Sequence, residues 1–293
     1  MAKKSSKSKA KSKKLPSAWK MTVNTAKLIW LHKKPFVILT LIYGFLNLLL
    51  VKGFAGATNV GELKDQLSDV FSGSFGSLAS GLGVFVILLG SSGNTSSATG
   101  GAYQLFLGIL TSLAIIWMLR QLLQGAVTVK VRDAFYNGMY PLVPFIGVLI
   151  IVGFQFIPML IGSSIYGIVI NNGIAVHMIE KVLWFVVFIL LSSLTLLFIS
   201  SSLIALYIVT LPNMTPFKAL RSAKELVKGR RLIVIRKLLW MPLALLIGAA
   251  ILMLPIIIWA TPLAQWVFFL LTMFGLVAVH AYMYGLYREL LGE

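Results

Sequence analysis

The chain contains no cysteine, which excludes a disulfide framework, a thiolate metal site and a thiol nucleophile. Charged residues are scarce, at 12% of the chain, against about 25% in an average soluble domain. Acidic residues are the scarcest, because Asp and Glu number 8 while Lys and Arg number 26. No HExxH, GxSxG or Walker A motif is present, and only three scattered histidines occur. We therefore expect no cofactor and no metal, and we favour a protein that is not an enzyme.

Long apolar runs take the place of the missing charge, and hydrophobic residues make up 58% of the chain. Each run is about the length that a helix needs to cross a bilayer, which is roughly 20 residues. They predict an all-α polytopic membrane protein with six transmembrane helices. The predicted spans are 36–51, 102–119, 141–170, 182–211, 238–260 and 263–287.

The distribution of basic residues predicts the orientation of these spans. With six spans, both termini lie on one side, and of the 26 Lys and Arg residues only Lys52, Lys64 and Lys181 fall on the other. Because Lys and Arg are retained in the cytoplasm, this bias predicts that both termini are cytoplasmic. The net charge of +18 is explained in the same way, without nucleic acid as a partner.

Two segments outside the spans have biased composition. Residues 1–15 form a Lys/Ser-rich tail that we expect to be disordered and cytoplasmic. It either sets the topology or attaches to anionic lipid or ribosomal RNA. The six-helix membrane domain occupies 16–290 and includes an external Gly/Ser-rich loop at 52–101, which carries Asp65 and Asp69. The apolar segment 82–89 within this loop is too short to span, so it is re-entrant, interfacial or packed on neighbouring helices.

A surface helix is predicted over 16–34, before the first span. Trp19, Val23, Ala26 and Trp30 recur on one helical face, and lysines occupy the other. Tryptophan favours the headgroup boundary, so this helix should lie on the membrane surface and end at Pro35.

Polar and small residues inside the spans allow several interpretations. Arg120 can snorkel to the cytoplasmic interface, and His280 fits an interfacial aromatic belt. Pro158 predicts a kink in the middle of span three. Thr195 lies among hydroxyl residues of span four that favour bonds across packed helices, although a polar cavity lining is also open. Glycines and alanines predict further close-packing sites at Gly147, Gly153, Gly248, Ala249 and Ala250.

The densest charge in the folded part of the chain lies in the loop 212–237, between spans four and five. Thr215 and Pro216 predict a helix start, and Gly229 predicts its end. An apolar face is predicted from Phe217, Leu220, Ala223 and Val227. The candidate lipid- or partner-binding residues are Lys218, Arg221, Lys224, Lys228, Arg230 and Arg231. A basic amphipathic helix of this kind is typical of contact with an anionic membrane surface.

This loop also carries a resemblance. Its Pro216, Ala219-Leu220, Ser222 and Leu226-Val227-Lys228-Gly229 pattern resembles that of bacterial six-helix membrane proteins related to the membrane domain of some glycerophosphodiester phosphodiesterases. The resemblance implies a six-helix fold across roughly 16–290 and a bacterial inner-membrane location. It brings no established activity for this group, and we do not expect the chemistry of the phosphodiesterase to transfer, because the soluble phosphodiesterase domain is absent.

Two function hypotheses follow. The first is a non-enzymatic scaffold, membrane-organising or accessory protein that engages anionic lipid headgroups, or an acidic protein partner, at its cytoplasmic face. The second is a transporter or permease subunit, in which the basic loop docks a partner ATPase and the proline-kinked spans three and five gate a path.

Overall fold

The computed structural model describes residues 16–52, 85–86, 97–126 and 128–292, and every regular element in those ranges is helical. Six helical segments are long and apolar enough to cross a membrane, which confirms the predicted all-α polytopic fold. They are Lys33–Lys52, Ala98–Leu123, Leu142–Asn171, Met178–Ile208, Arg231–Trp259 and Pro262–Leu291. The tail 1–15 and most of the loop 52–101, with Asp65 and Asp69, lie outside the described residues.

The described part of the chain contains ten full α-helices. Three of them lie outside the six spans, and span three consists of two helices. The ten helices are α1 (Ala18–Leu31), α2 (Lys33–Asn47), α3 (Ala98–Leu123), α4 (Val131–Gly138), α5 (Leu142–Gln155), α6 (Ile157–Asn171), α7 (Met178–Ile208), α8 (Pro216–Val227), α9 (Arg231–Trp259) and α10 (Thr261–Leu291). A π-helical turn, Leu48–Lys52, completes the first span after α2.

One end of the bundle brings together the termini of four membrane-spanning helices. The ends of α3 and α7 meet where Arg120 bonds Thr210, and the start of α9 meets the end of α10 where Lys237 bonds Glu289. Helices α1 and α8 pack onto this same end. We call it the basic end, because it carries the cations of α1 and α8.

The predicted surface helix is present, but it ends earlier than expected. Helix α1 stops at Leu31, and Pro35 instead lies in the first turn of α2, where its missing N–H leaves no bond unmade. Met21 faces the bundle and is buried, whereas Trp19 and Trp30 are exposed. The indole N–H of Trp240 donates to the Thr22 hydroxyl at 3.1 Å, which ties α1 to α9.

Span three is broken near its middle, as Pro158 predicts. Helix α5 ends at Gln155, and α6 begins at Ile157 with Pro158 in its first turn. The amide N–H of Met159 donates to Thr195 Oγ1 of α7 at 3.1 Å, so the expectation of a hydroxyl bond across helices is confirmed for Thr195. The Met159 N–H therefore has a hydrogen-bond acceptor at the break, where an apolar surrounding would offer it none.

The predicted close-packing glycines divide into two groups. A Cβ on Gly147 would lie 2.9 Å from Pro216 Cγ, so α8 does approach α5 closely there. A Cβ on Gly153 or Gly248 would meet nothing within 4 Å, so the prediction is wrong at these two positions. Open space remains at 153 and 248 because no helix in the described part of the chain packs over these two glycines.

At the far end, a small cluster joins α9 and α10. Phe268, Met253 and Ile257 are buried there, and the Phe85 ring packs on Phe268 with centroids 5.4 Å apart. Of the segment 82–89, the structure describes only Phe85 and Val86. The buried Phe85 favours packing on neighbouring helices among the three interpretations of that segment.

Candidate functional site

Helix α8 begins and ends where the sequence predicts. The Thr215 hydroxyl accepts from the Lys218 amide at 3.4 Å, and Pro216 follows at the first helical position. The helix ends at Val227, and Gly229 has a φ of +80°, a conformation that glycine adopts without strain. These caps fix where the helix begins and ends.

The buried face of α8 agrees with the predicted one at Ala223 and Val227 and differs from it at Phe217. Ala219, Ala223 and Val227 are fully buried against the bundle, and α8 contacts α7, α5 and α10. Phe217, expected on this face, is 77% exposed. The small side chains at 219 and 223 let the helix backbones approach closely, which rotates Phe217 outward.

Four of the six predicted cations share the opposite side of α8. Lys218, Arg221, Lys224 and Lys228 are all exposed. Phe217 stands in line with three of them, because positions 217, 221, 224 and 228 follow helical spacing. We call these five side chains the basic face of α8. An exposed aromatic ring among cations is typical of helices that lie in a membrane interface.

The two remaining predicted cations lie beyond the basic face. Arg230 precedes α9, Arg231 is its first residue, and both are partly buried. They are adjacent to the basic face along the chain but do not belong to it. The structure therefore brings together four of the six predicted residues and places two at the junction of α8 and α9.

The basic face has almost no acidic partner within the described residues. Arg221 and Glu225 approach to 3.9 Å as an exposed pair one helical turn apart, an arrangement that contributes little to stability. The second ion pair in the described part of the chain joins Lys237 and Glu289, which leaves the other cations of α8 without one. Their counter-charge must come from outside these residues.

A cleft of about 920 Å³ lies beside the start of α8. The Arg120 guanidinium lines it and is held by the Thr210 carbonyl at 3.0 Å and by the Thr210 hydroxyl. Tyr136 and Tyr140 form part of the wall and are strongly exposed. Arg120 is thus fixed by specific bonds at the basic end rather than extended freely toward water.

His280 lies in the protein core, so the expected place in an interfacial aromatic belt is wrong. Its ring is buried, and Nδ1 is 2.9 Å from the Tyr207 hydroxyl. Tyr284 and Tyr287 pack on Tyr207 with ring centroids 6.0 and 6.3 Å away. Helical spacing on α10 identified the shared face of these residues, but it could not show that α7 covers that face.

The sequence did not predict a buried ion pair that the structure contains. Lys237 Nζ lies 2.7 Å from Glu289 Oε2 and 3.0 Å from the sulfur of Met21. The pair joins α9 to α10, and Met21 brings α1 to the same point. No local signal distinguishes Lys237 from the other lysines near the spans, so sequence alone could not identify it.

Comparison of the chain with protein-family models, with curated proteins and with solved structures found no match. The resemblance to the bacterial six-helix group therefore stays a prediction.

Proposed function

We propose that the protein is a non-enzymatic integral membrane protein that organises anionic phospholipid through the basic face of α8. Both termini and α8 would lie in the cytoplasm, at the inner membrane of a bacterium. The observation that carries the proposal is the outward direction of the basic face: its cations have no counter-charge within the described residues beyond the weak Arg221–Glu225 pair.

The docking of α8 supports a lipid surface over a soluble acidic protein as its partner. Pro216 presses against Gly147, in the second turn of a membrane-spanning segment, so α8 starts beside the span. The next residue, Phe217, is exposed and suited to the boundary of headgroups and acyl chains. A cation near an anionic membrane surface contributes about 1 kcal/mol, so the four of the basic face are sufficient for measurable lipid selectivity.

The test compares the full-length protein with a variant in which the six predicted cations become glutamine. Each protein is reconstituted in vesicles of phosphatidylglycerol and phosphatidylcholine, and lipids retained around it are quantified by mass spectrometry. We expect the wild type to enrich phosphatidylglycerol and the variant to lose most of that enrichment. Added salt should weaken the wild-type enrichment, since exposed charges are screened.

A charge-preserving variant serves as the matched control. Lys218→Arg, Lys224→Arg and Lys228→Arg together keep the charge and should keep the enrichment. Equal enrichment by the glutamine variant, with helical content unchanged, would overturn the proposal. If the glutamine variant keeps its lipid selectivity but no longer co-purifies with an acidic protein from native membranes, the partner hypothesis would be supported instead.

The broken span three favours a second candidate, a transporter or permease subunit. Near the break, Gln155 Oε1 and Ser192 Oγ are buried and have no hydrogen-bond partner within the described residues. Broken helices with polar groups near the bilayer midplane occur at the substrate sites of transporters. Single cysteines at 155 and 192 test this: reaction with a water-soluble maleimide would support a water-filled path, and complete protection would exclude it.

A further inference from the structure

An apolar groove of about 620 Å³ lies between α1, α9 and α10. This volume is within the range of small-molecule sites, about 300–1,000 Å³. Glycine and alanine create its depth, because Gly248 and Gly275 face open space where a Cβ would meet nothing within 4 Å. No residue of α8 lines the groove, so it is separate from the basic face.

The length of the groove matches one leaflet of a bilayer. Its lining runs along α9 from Met241 to Leu252 and along α10 from Tyr282 to Leu271. Either stretch rises about 16 Å at 1.5 Å per residue. The hydrocarbon core of a bilayer is about 30 Å thick, so the groove extends from the basic end to about the midplane. An extended acyl chain of one leaflet has this reach.

The mouth of the groove carries positive charge. Trp30 of α1 lines it, and Lys33 Nζ lies 5.1 Å from the centroid of the Trp30 ring. Lys33 is exposed and, like the exposed Lys27 of α1, forms no ion pair in the described part of the chain. An anionic group beside the Trp30 ring would therefore meet the Lys33 ammonium.

We propose that this groove is a binding site for an anionic glycerophospholipid. One acyl chain lies along Gly248 and Gly275, and the phosphate lies at the mouth beside Lys33. Apolar lining over the length of one leaflet, with cations at the interfacial end alone, matches the amphipathic form of such a lipid. The site uses other residues than the basic face of α8, so either can fail without the other.

The test uses purified full-length protein in nanodiscs of phosphatidylcholine and phosphatidylglycerol. The phosphatidylglycerol carries a diazirine on one acyl chain, and the cross-linked residues are mapped by mass spectrometry. We expect cross-links concentrated on the groove lining, such as Leu245, Leu252 and Phe274. Gly248→Leu and Gly275→Leu fill the open space and should reduce these cross-links about tenfold, equivalent to a tenfold weaker binding constant.

Matched controls separate a filled groove from a damaged protein. Gly167→Leu in α6 also adds a side chain to open space, but outside the groove, and should leave the cross-links unchanged. Lys33→Gln should remove the preference for phosphatidylglycerol over a phosphatidylcholine probe, and Lys33→Arg should preserve it. The glutamine variant of α8 should retain the groove cross-links.

Two outcomes would overturn the proposal. In the first, cross-links are as frequent on exposed apolar residues of α7, such as Leu183 and Leu190, as on the groove. In the second, the glycine-to-leucine substitutions at 248 and 275 reduce the groove cross-links no more than Gly167→Leu does. A groove filled by another segment of this chain would exclude the probe, so an absence of lipid cross-links on the groove lining would also count against a lipid.

Discussion

Lys237 Nζ and Glu289 Oε2 lie 2.7 Å apart, with the Lys237 side chain only 2% exposed and that of Glu289 17% exposed. The Tyr282 hydroxyl donates to the Lys237 carbonyl at 3.0 Å, which adds a second bond between the same two helices. Both residues are charged side chains in the end turns of membrane-spanning helices. Their pairing fixes the relative position of α9 and α10 at the basic end.

Removing one partner of this pair should destabilise the protein more than removing both. Lys237→Met leaves the Glu289 carboxylate largely buried without a counter-ion. Breaking a buried ion pair in this way costs about 3–5 kcal/mol. We expect a smaller loss here, because Glu289 keeps some contact with solvent. Adding Glu289→Gln should recover part of the loss. Unfolding temperatures of the two single variants and the double variant, measured in detergent, test this, and simple additivity would contradict it.

The hydrogen bond from Met159 to Thr195 should stabilise the break in span three. Thr195→Val keeps the shape but removes the acceptor, so we expect a loss of about 1 kcal/mol from the free energy of unfolding. Thr195→Ser should retain stability. Thr40→Val is a matched control, because that buried hydroxyl bonds only the Phe36 carbonyl of its own helix at 2.9 Å. An equal effect of both valine substitutions would argue against a special role for Thr195.

Gly147 should be required for the docking of α8. A Cβ at this position would lie 2.9 Å from Pro216 Cγ, so Gly147→Ala should push the start of α8 away from α5. Pro216→Ala removes the ring and should restore docking in the double variant. Protease sensitivity of the α8 region in reconstituted protein is the measurement. A single Gly147→Ala variant as resistant as the wild type would show that the contact is unimportant.

The predicted orientation in the membrane can be tested directly, because the natural chain has no cysteine. A single cysteine at Lys224 should react with a membrane-impermeant maleimide only after cells are permeabilised. A single cysteine at Asn172, between α6 and α7, should react in intact cells. The reverse pattern would place α8 outside and would remove the basis for a cytoplasmic lipid interaction.

Local signals predicted much of the architecture. Apolar length located all six spans, because an unbroken apolar helix needs no distant partner to favour the bilayer. Pro158 located the break in span three, since a proline supplies no amide donor. Thr215 and Gly229 located the ends of α8 through bonds and backbone angles within a few residues.

Burial inside the bundle was harder to predict. Hydrophobicity alone assigned Phe217 to the inner face of α8, but Phe217 is exposed and the smaller Ala219 is buried against the bundle. His280 appeared interfacial because the covering residue, Tyr207, is distant in the chain. Gly248 appeared to be a packing site, yet it opens a groove.

The sequence by itself determined a six-span helical protein with a capped basic helix before span five, because hydropathy, proline and glycine act over one or two helical turns. Only the tertiary structure decided that Lys237 is paired, that Phe217 points outward among cations, and that α1, α9 and α10 enclose a groove. Each of these depends on contacts between side chains from distant segments of the chain, and the position of a residue along its own helix does not predict those contacts.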